Sequence, residues 1–221
     1  GPGYSGEEWF EASRRTTVQI RDMYRRRQAE QRCEYALLSL LVSGEPRSVV
    51  RVLDVGGAMG ATYLHVRHSA PRVKLAYHVV DNARMCKGGR AILEGHDDVF
   101  FHESLDDSPE TVEIVNFSGV LQYISGYRAL LRTIATRAPR KILLGNVNVG
   151  TMPTYASAQR NVAGSVIACW FFNANDLIEI LQTLEYRLIF RAADTRTYDQ
   201  SGFAIEQRIH HPSHLLFERA R

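Results

Sequence analysis

A glycine-bearing turn, Asp54-Val-Gly-Gly-Ala-Met-Gly60, is the feature that most constrains how this chain can fold. Residues 49–55 form a short run rich in β-branched side chains, and residues 61–68 have a helical pattern. Spaced glycines between a strand and a helix allow positive φ angles and close approach of a ligand to the backbone. The segment therefore predicts a buried strand, a ligand-binding turn and a helix, in that order.

The same alternation of strand and helix continues along the chain. Further strands are predicted at residues 74–81, 99–101, 111–117 and 141–146, with helices at residues 83–93 and 127–137. Strands that alternate with helices pair in parallel through crossover connections, so the chain is predicted to be an α/β protein with a doubly wound sheet. The remaining predicted elements are helical residues 7–42, a helix at 175–184, and strands at 186–192 and 214–218.

The pattern suggests two parts. Residues 1–46 are expected to form a helical cap or lead-in, and residues 47–221 the main domain. Residues 147–172 look irregular and are too long for a routine connection, so they are expected to be either a functional insertion on the substrate side or a lid.

Charge and composition exclude little. The chain has 27 Lys and Arg against 24 Asp and Glu, and this net charge of +3 is too small to indicate a nucleic-acid partner on its own, so none is expected. The first 32 residues are nevertheless rich in arginine, which indicates a solvated face, a cap over a ligand site or a contact for an anionic substrate. No apolar run reaches the roughly 20 residues that span a bilayer, so a cytoplasmic location is expected. The arginines are Arg14, Arg15, Arg21, Arg25, Arg26, Arg27 and Arg32.

Two acidic residues narrow the choice of ligand. Asp54, before the first glycine, would attract a cationic sulfonium and ammonium, whereas a pyrophosphate has no use for that charge. Asp81 ends the next predicted strand, where a carboxylate accepts hydrogen bonds from ribose hydroxyls or simply caps the following helix. A nicotinamide dinucleotide stays open as the alternative ligand, because Gly56-x-Ala58-x-x-Ala61 is a degraded form of its fingerprint.

With these residues, the sequence resembles class I S-adenosylmethionine-dependent methyltransferases over about residues 48–221. It resembles most a bacterial group that pairs a Leu-Asp-x-Gly-Gly turn and a following Tyr with a Leu-Gln-Tyr segment, here Leu53–Gly57, Tyr63 and Ser118–Tyr123. The resemblance implies a seven-stranded, mostly parallel, Rossmann-like sheet whose last strand is antiparallel. The sequence departs from the family pattern at Ala58, which stands in place of the middle glycine of the turn. It implies S-adenosylmethionine contacts from Asp54, Gly56, Gly57, Ala58, Gly60, Tyr63, Asp81, Asn82, Glu103, Ser104 and Ser118.

Methyl transfer is an in-line displacement, so positioning can supply much of the catalysis and a base is needed only for some nucleophiles. Gln122 and Tyr123 follow the fourth predicted strand, at the edge where such sheets bind ligands, and are the candidate catalytic residues. The insertion carries donors and aromatic rings that suit a small polar acceptor. Candidate substrate residues are Asn146, Tyr155, Gln159, Arg160 and Trp170.

The histidines and cysteines are given no chemical role. His210, His211 and His214 are interpreted as a solvated turn rather than a metal cluster, and His65 and His68 as surface residues. With three widely spaced cysteines, no metal is expected.

The predicted function is methyl transfer to oxygen or nitrogen of a small metabolite, sugar derivative or natural-product intermediate. A homodimer is allowed for. The alternatives are a nicotinamide-dependent oxidoreductase, an RNA-modifying or RNA-binding protein that uses the arginine-rich segment, and a non-catalytic cofactor-binding protein.

Overall fold

In the computed structural model, Tyr4 and residues 6–26, 33–160 and 166–220 are described. The helices are α1 (Glu7–Arg25), α2 (Cys33–Ser43), α3 (Ala61–Ser69), α4 (Ala83–Ile92), α5 (Tyr127–Thr136) and α6 (Ala174–Thr183). The strands are β1 (Val50–Val55), β2 (Leu75–Val80), β3 (Val99–His102), β4 (Ile114–Ser118), β5 (Lys141–Val147), β6 (Val149–Gly150), β7 (Tyr155–Arg160), β8 (Val166–Asn173), β9 (Tyr186–Ala193) and β10 (Ser213–Arg219).

Seven of these strands form one sheet in the order β3-β2-β1-β4-β5-β10-β9. β1 pairs in parallel with β2 and β4, and β2 with β3, whereas β10 is antiparallel to both β5 and β9. The predicted seven-stranded, mostly parallel sheet with an antiparallel last strand is therefore confirmed. β1 and β2 are buried along almost their whole length, which explains their apolar sequences.

The chain divides into two compact units, residues 2–116 and residues 117–221, which we call the amino-terminal and carboxyl-terminal units. The first contains α1–α4 and β1–β3, and its core includes Leu53, Tyr63 and Tyr77. The second contains α5, α6 and β5–β10, and its core includes Leu131 and Phe217. The predicted boundary at residue 46 stays a prediction.

The start of the chain forms two helices where one helical segment was predicted, and residues 27–32 between them, with Arg27 and Arg32, lie outside the described residues. α1 packs on α3 and α4, and α2 packs on α3. This packing buries His65 completely, so its predicted surface position is wrong. Nδ1 of His65 hydrogen-bonds to the Tyr24 hydroxyl, and its ring stacks on Tyr35 with centroids 4.4 Å apart.

Acidic neighbours on α1 partly neutralise its arginines. Arg14 pairs with Glu11 and Arg21 with Asp22, both at 3.0 Å. In the described part of the chain, no helix is long and apolar enough to cross a membrane.

The predicted irregular insertion at 147–172 is largely a second sheet of three strands, in the order β6-β8-β7. β7 pairs antiparallel with β8, and β6 pairs in parallel with β8. The expectation of irregular structure was wrong for the residues that the structure describes there. The strand β7 could not be predicted because its sequence, Tyr-Ala-Ser-Ala-Gln-Arg, has few residues with strand preference.

Candidate active site

Three residues of the glycine turn have left-handed backbone. Gly56, Ala58 and Gly60 have φ angles of 71°, 48° and 83°. Gly57 has no such angle, but a Cβ atom there would lie 2.5 Å from Oδ2 of Asp54. Gly57 is therefore required by close packing against the carboxylate, whereas Gly56 and Gly60 are required by backbone conformation.

Asp54 is only 1% exposed and lies near the carboxyl end of β1. Its Oδ1 accepts a hydrogen bond from Asn116 Nδ2 at 2.7 Å, and its Oδ2 accepts one from the Tyr77 hydroxyl at 2.8 Å. Burial raises the pKa of Asp54 to about 6 although both hydrogen bonds oppose the rise, and the negative charge of Asp81 adds to it. A cation bound beside this carboxyl group would favour its ionised form.

Asp81 connects the glycine turn to the start of α4. Its Oδ2 accepts a hydrogen bond from the Ala58 N–H at 2.9 Å, and its Oδ1 accepts from the backbone and side-chain nitrogens of Asn82 at 2.8 and 2.9 Å. Burial raises the pKa of Asp81. Asn82 also caps α4 by accepting from the Met85 N–H at 3.1 Å. The structure thus brings Asp54, the turn, Asp81 and Asn82 together at the carboxyl ends of β1 and β2.

Tyr63 lies apart from this group. Its side chain is completely buried, and its hydroxyl donates to Asp98 and contacts Nδ1 of His96 at 2.9 Å. These partners precede β3, at the amino end of that strand. Because parallel strands have their amino ends at one edge of the sheet and their carboxyl ends at the other, the Tyr63 hydroxyl is directed away from the glycine turn.

Glu103 and Ser104 follow β3 and are exposed. Glu103 lies 3.6 Å from Arg90, and the Ser104 hydroxyl donates to Asp107 at 3.0 Å. Both side chains therefore lie near the sheet edge formed by the carboxyl ends of the strands, and each contacts another side chain of the protein.

In the carboxyl-terminal unit, the segment after β4 carries Gln122 and Tyr123 in a short 3₁₀ turn, and Ser118 is the last residue of β4. Gln122 is 1% exposed, and its Nε2 donates to the Asn146 carbonyl oxygen at 3.1 Å. Its Oε1 has no hydrogen-bond partner within the described part of the chain. Burial raises the pKa of the Cys169 thiol to about 11, although a hydrogen bond from Tyr123 opposes the rise.

Asn148 repeats this arrangement. It is 3% exposed, and its Nδ2 donates to the Cys169 sulfur at 3.3 Å and the Trp170 carbonyl oxygen at 3.4 Å. Its Oδ1 has no hydrogen-bond partner among the described residues. Among the described residues of this unit, three buried amide oxygens therefore lack a donor: those of Gln122, Asn148 and Gln159.

Asn146, the penultimate residue of β5, has a left-handed backbone with φ 50°. Its N–H donates to Nδ1 of His214 at 3.3 Å. With its amide oriented so that both ends are satisfied, Nδ2 donates to the Tyr198 hydroxyl at 3.2 Å and Oδ1 accepts from Arg196 at 3.1 Å. Asp194 accepts three hydrogen bonds from Arg196, one from its N–H at 2.8 Å and two from its guanidinium at 3.0 and 2.8 Å, and lies 3.2 Å from Nε2 of His214. A strained backbone held from several sides is characteristic of functional sites.

Sequence reasoning missed most of this network. No functional role was predicted for the β9–β10 connection, which contains Asp194, Arg196 and Tyr198. The interpretation of the histidines as a solvated turn agrees with exposed His210 and His211 but is wrong for His214, which is mostly buried on β10. The available signal was that His214 opens a predicted strand.

The predicted substrate residues of the insertion lie on both faces of the small sheet. In the β7–β8 register, Tyr155 is opposite Phe171, whereas Trp170 is opposite Ala156. Since side chains alternate along a strand, Tyr155 and Gln159 share one face, and Arg160 and Trp170 lie on the other. The structure therefore does not bring these four side chains into one group.

Comparison with known proteins identifies a family pattern. A family model described as a methyltransferase domain matches residues 24–189. A sequence search of curated proteins finds no match.

Solved structures share the fold at low sequence identity. Magnesium protoporphyrin IX methyltransferase (ChlM) from Synechocystis PCC 6803, with bound SAH, is 17% identical with a TM-score of 0.64, covering 98% of this chain and 96% of that one. SAM-bound CalS10, an amino pentose methyltransferase of calicheamicin biosynthesis from Micromonospora echinaspora, is 15% identical with a TM-score of 0.58, covering 90% and 96%. The N-terminal domain of EvdMO1, in the presence of SAH and D-fucose, is 14% identical with a TM-score of 0.54, covering 87% and 85%.

Proposed function

This chain belongs to the methyltransferase domain family, and from that premise we propose that it transfers a methyl group from S-adenosylmethionine to oxygen or nitrogen of a small polar acceptor. Because of this family membership, we favour a methyltransferase over a nicotinamide-dependent oxidoreductase and over a non-catalytic cofactor-binding protein. The nature of the acceptor, the residues that bind it, the cytoplasmic location and the homodimer are proposals.

The amino-terminal unit suits a cationic cofactor. When bound, S-adenosylmethionine supplies a methyl group on a positively charged sulfonium. Asp54 and Asp81 are close enough for the charge of Asp81 to raise the pKa of Asp54, so a cation beside them relieves a repulsion. A pyrophosphate would increase that repulsion.

We assign cofactor binding to the turn and to the residues at the two strand ends beside it. Gly56, Gly57 and Gly60 leave the backbone open to the ligand, and Asp81 would accept hydrogen bonds from the ribose. Tyr63 is left out because its hydroxyl is bound at the opposite edge. Glu103, Ser104 and Ser118 stay predictions. The proposed set is Asp54, Gly56, Gly57, Ala58, Gly60, Asp81 and Asn82.

The proposal of a polar methyl acceptor rests on the buried amide oxygens of Gln122 and Asn148, which have no hydrogen-bond donor among the described residues. A buried acceptor without a donor costs roughly 1–3 kcal/mol, so such groups call for an explanation. A hydroxyl or amino group of the acceptor would satisfy either oxygen and be oriented by it. Such positioning can supply much of the rate of an in-line transfer.

The test is to incubate the protein with methyl-labelled S-adenosylmethionine and fractionated cell extract, and to follow the label. We expect label in a small polar compound, and about tenfold less of it with Gln122→Leu while cofactor affinity stays the same, because one hydrogen bond to the acceptor is lost. The matched control is Gln182→Leu, an exposed glutamine on α6. Label found only in RNA or only in protein would contradict the small acceptor, and label in RNA would support the RNA alternative.

A further inference from the structure

A cleft of about 900 Å³ opens in the carboxyl-terminal unit, between the starts of α5 and α6. Arg128 and Arg132 of α5 line one part of it, and Trp170 of β8 lines another. Thr154 and Asp176 lie at the α6 side, where the Thr154 hydroxyl donates to the Asp176 carboxylate at 3.1 Å.

The α5 side of the cleft carries positive charge without a counter-charge. Arg128 and Arg132 are exposed, lie one helical turn apart, and have no ion pair with any described residue. The first turn of α5 holds no acidic residue, and Gly126 caps it without a side-chain hydrogen bond. Helix starts favour acidic side chains because their free N–H groups carry partial positive charge. An arginine at the second position adds to that charge instead.

The start of α6, in the same cleft, is built in the ordinary way. Asn173 accepts hydrogen bonds from the N–H groups of residues 175 and 176, and Asp176 lies in the first turn. The excess positive charge is therefore confined to the α5 side, where guanidinium groups and free N–H groups are both suited to oxyanions.

An aromatic wall stands next to these charges. The Trp170 ring is half-buried and packs edge-on against Tyr127, with centroids 5.7 Å apart. A fixed indole in an open cleft presents a flat apolar surface to a ring of similar size.

We infer that this cleft binds an oxyanion carried on a ring, with the anion at Arg128, Arg132 and the start of α5, and the ring against Trp170. The inference goes beyond the proposed function, because Gln122 and Asn148, to which the methyl acceptor is assigned, are not among the residues that line this cleft. Binding itself can be measured without methyl transfer.

The experiment uses Trp170 as its own reporter. The chain has two tryptophans, Trp9 and Trp170, so Trp9→Phe leaves only the one in the cleft. In this background and without cofactor, we expect saturable fluorescence changes with phenyl phosphate and much weaker ones with phenol. Benzoate in place of phenyl phosphate shows whether a carboxylate serves as well as a phosphate.

Substitutions should act in opposite directions. Arg128→Gln or Arg132→Gln should weaken phenyl phosphate binding about tenfold, the usual value of a charge-assisted contact. Asp176→Asn should tighten it, because a negative charge leaves the cleft while the shape stays. Arg191→Gln, an exposed arginine of β9 outside the cleft, is the matched control and should change nothing.

Equal binding of phenol and phenyl phosphate, or an equal loss with Arg191→Gln, would overturn the site. Failure of methyl transfer is a separate result. If phenyl phosphate binds as expected but no labelled product forms from any extract, the oxyanion site stands and the proposed function fails.

Discussion

Asn116 and Asp54 are opposite each other on two neighbouring parallel strands, and the Asn116 amide donates to the Asp54 carboxylate at 2.7 Å. Together with the Tyr77 hydroxyl, it occupies both carboxylate oxygens with donors. Burial still outweighs these bonds and leaves the pKa of Asp54 at about 6. The carboxyl group therefore changes its charge within a range of pH that binding experiments can cover.

The affinity for S-adenosylmethionine should rise as the pH increases from 5 to 7. A cation favours the ionised carboxylate, and a group with a pKa of about 6 is only about one-tenth ionised at pH 5. Calorimetric titration should show roughly tenfold weaker binding at pH 5 than at pH 7. Asp54→Asn should bind more weakly and lose this dependence. An equally steep profile in that variant would assign the effect to another group.

Gly57→Ala should destabilise the protein and weaken cofactor binding. The added methyl group would lie 2.5 Å from Asp54 Oδ2, so either the turn or the carboxylate must move. Overpacking of this kind costs about 1–3 kcal/mol of unfolding free energy, which urea denaturation would measure. Gly202→Ala is the control because a Cβ atom there meets nothing within 4 Å. Equal losses from both substitutions would refute the packing argument.

His78 should make the protein less stable in mild acid. Burial lowers its pKa from 6.5 to about 4, and Coulombic repulsion from His102 and Arg51 adds to the effect. The unfolded chain therefore takes up this proton first, and stability falls as the pH decreases from 6.5 towards 4. His78→Asn should flatten that part of the curve in urea denaturation. The exposed His211→Asn should leave it unchanged, and a steep curve in both variants would contradict the prediction.

Asp194→Asn should lower the unfolding free energy by about 1.5–3 kcal/mol at pH 7, because charged hydrogen bonds to a buried carboxylate are lost. Burial would raise the pKa of Asp194, but the Arg196 hydrogen bonds and the nearby positive charges keep it below the usual value. The stabilisation is therefore present above pH 4 and decreases as the pH falls further, so the difference between the variant and the natural protein should shrink below pH 4. Glu206→Gln, exposed in the same connection, is the control. A constant difference at all pH values would show that charge plays no part.

The central strands could be predicted because burial on both faces leaves a continuous apolar run. β1, β2 and β5 all lie within a residue or so of their predicted ends. The glycine turn was recognisable because glycine readily adopts the positive φ angles found at Gly56 and Gly60. The predicted class I methyltransferase fold is confirmed, and the assignment of individual site residues stays a prediction.

Tertiary packing explains what the sequence could not predict. β7 alternates half-buried and exposed residues, and most of them are small or polar, so its strand character depends on β8. His65 looks like a surface residue until α2 covers it. Asp194 and His214 are far from Asn146 in sequence, and only the pairing of β10 with β5 and β9 brings them together.

The hydrogen bonds to Asn146 can form only late during synthesis of the chain. Its carbonyl is held by Gln122, 24 residues earlier, and its N–H by His214, 68 residues later. Contacts between residues so far apart form late, because the intervening chain must first be ordered. A ribosome-bound chain that has emerged only as far as α6 therefore has the whole glycine turn but cannot yet hold Asn146 in its strained conformation.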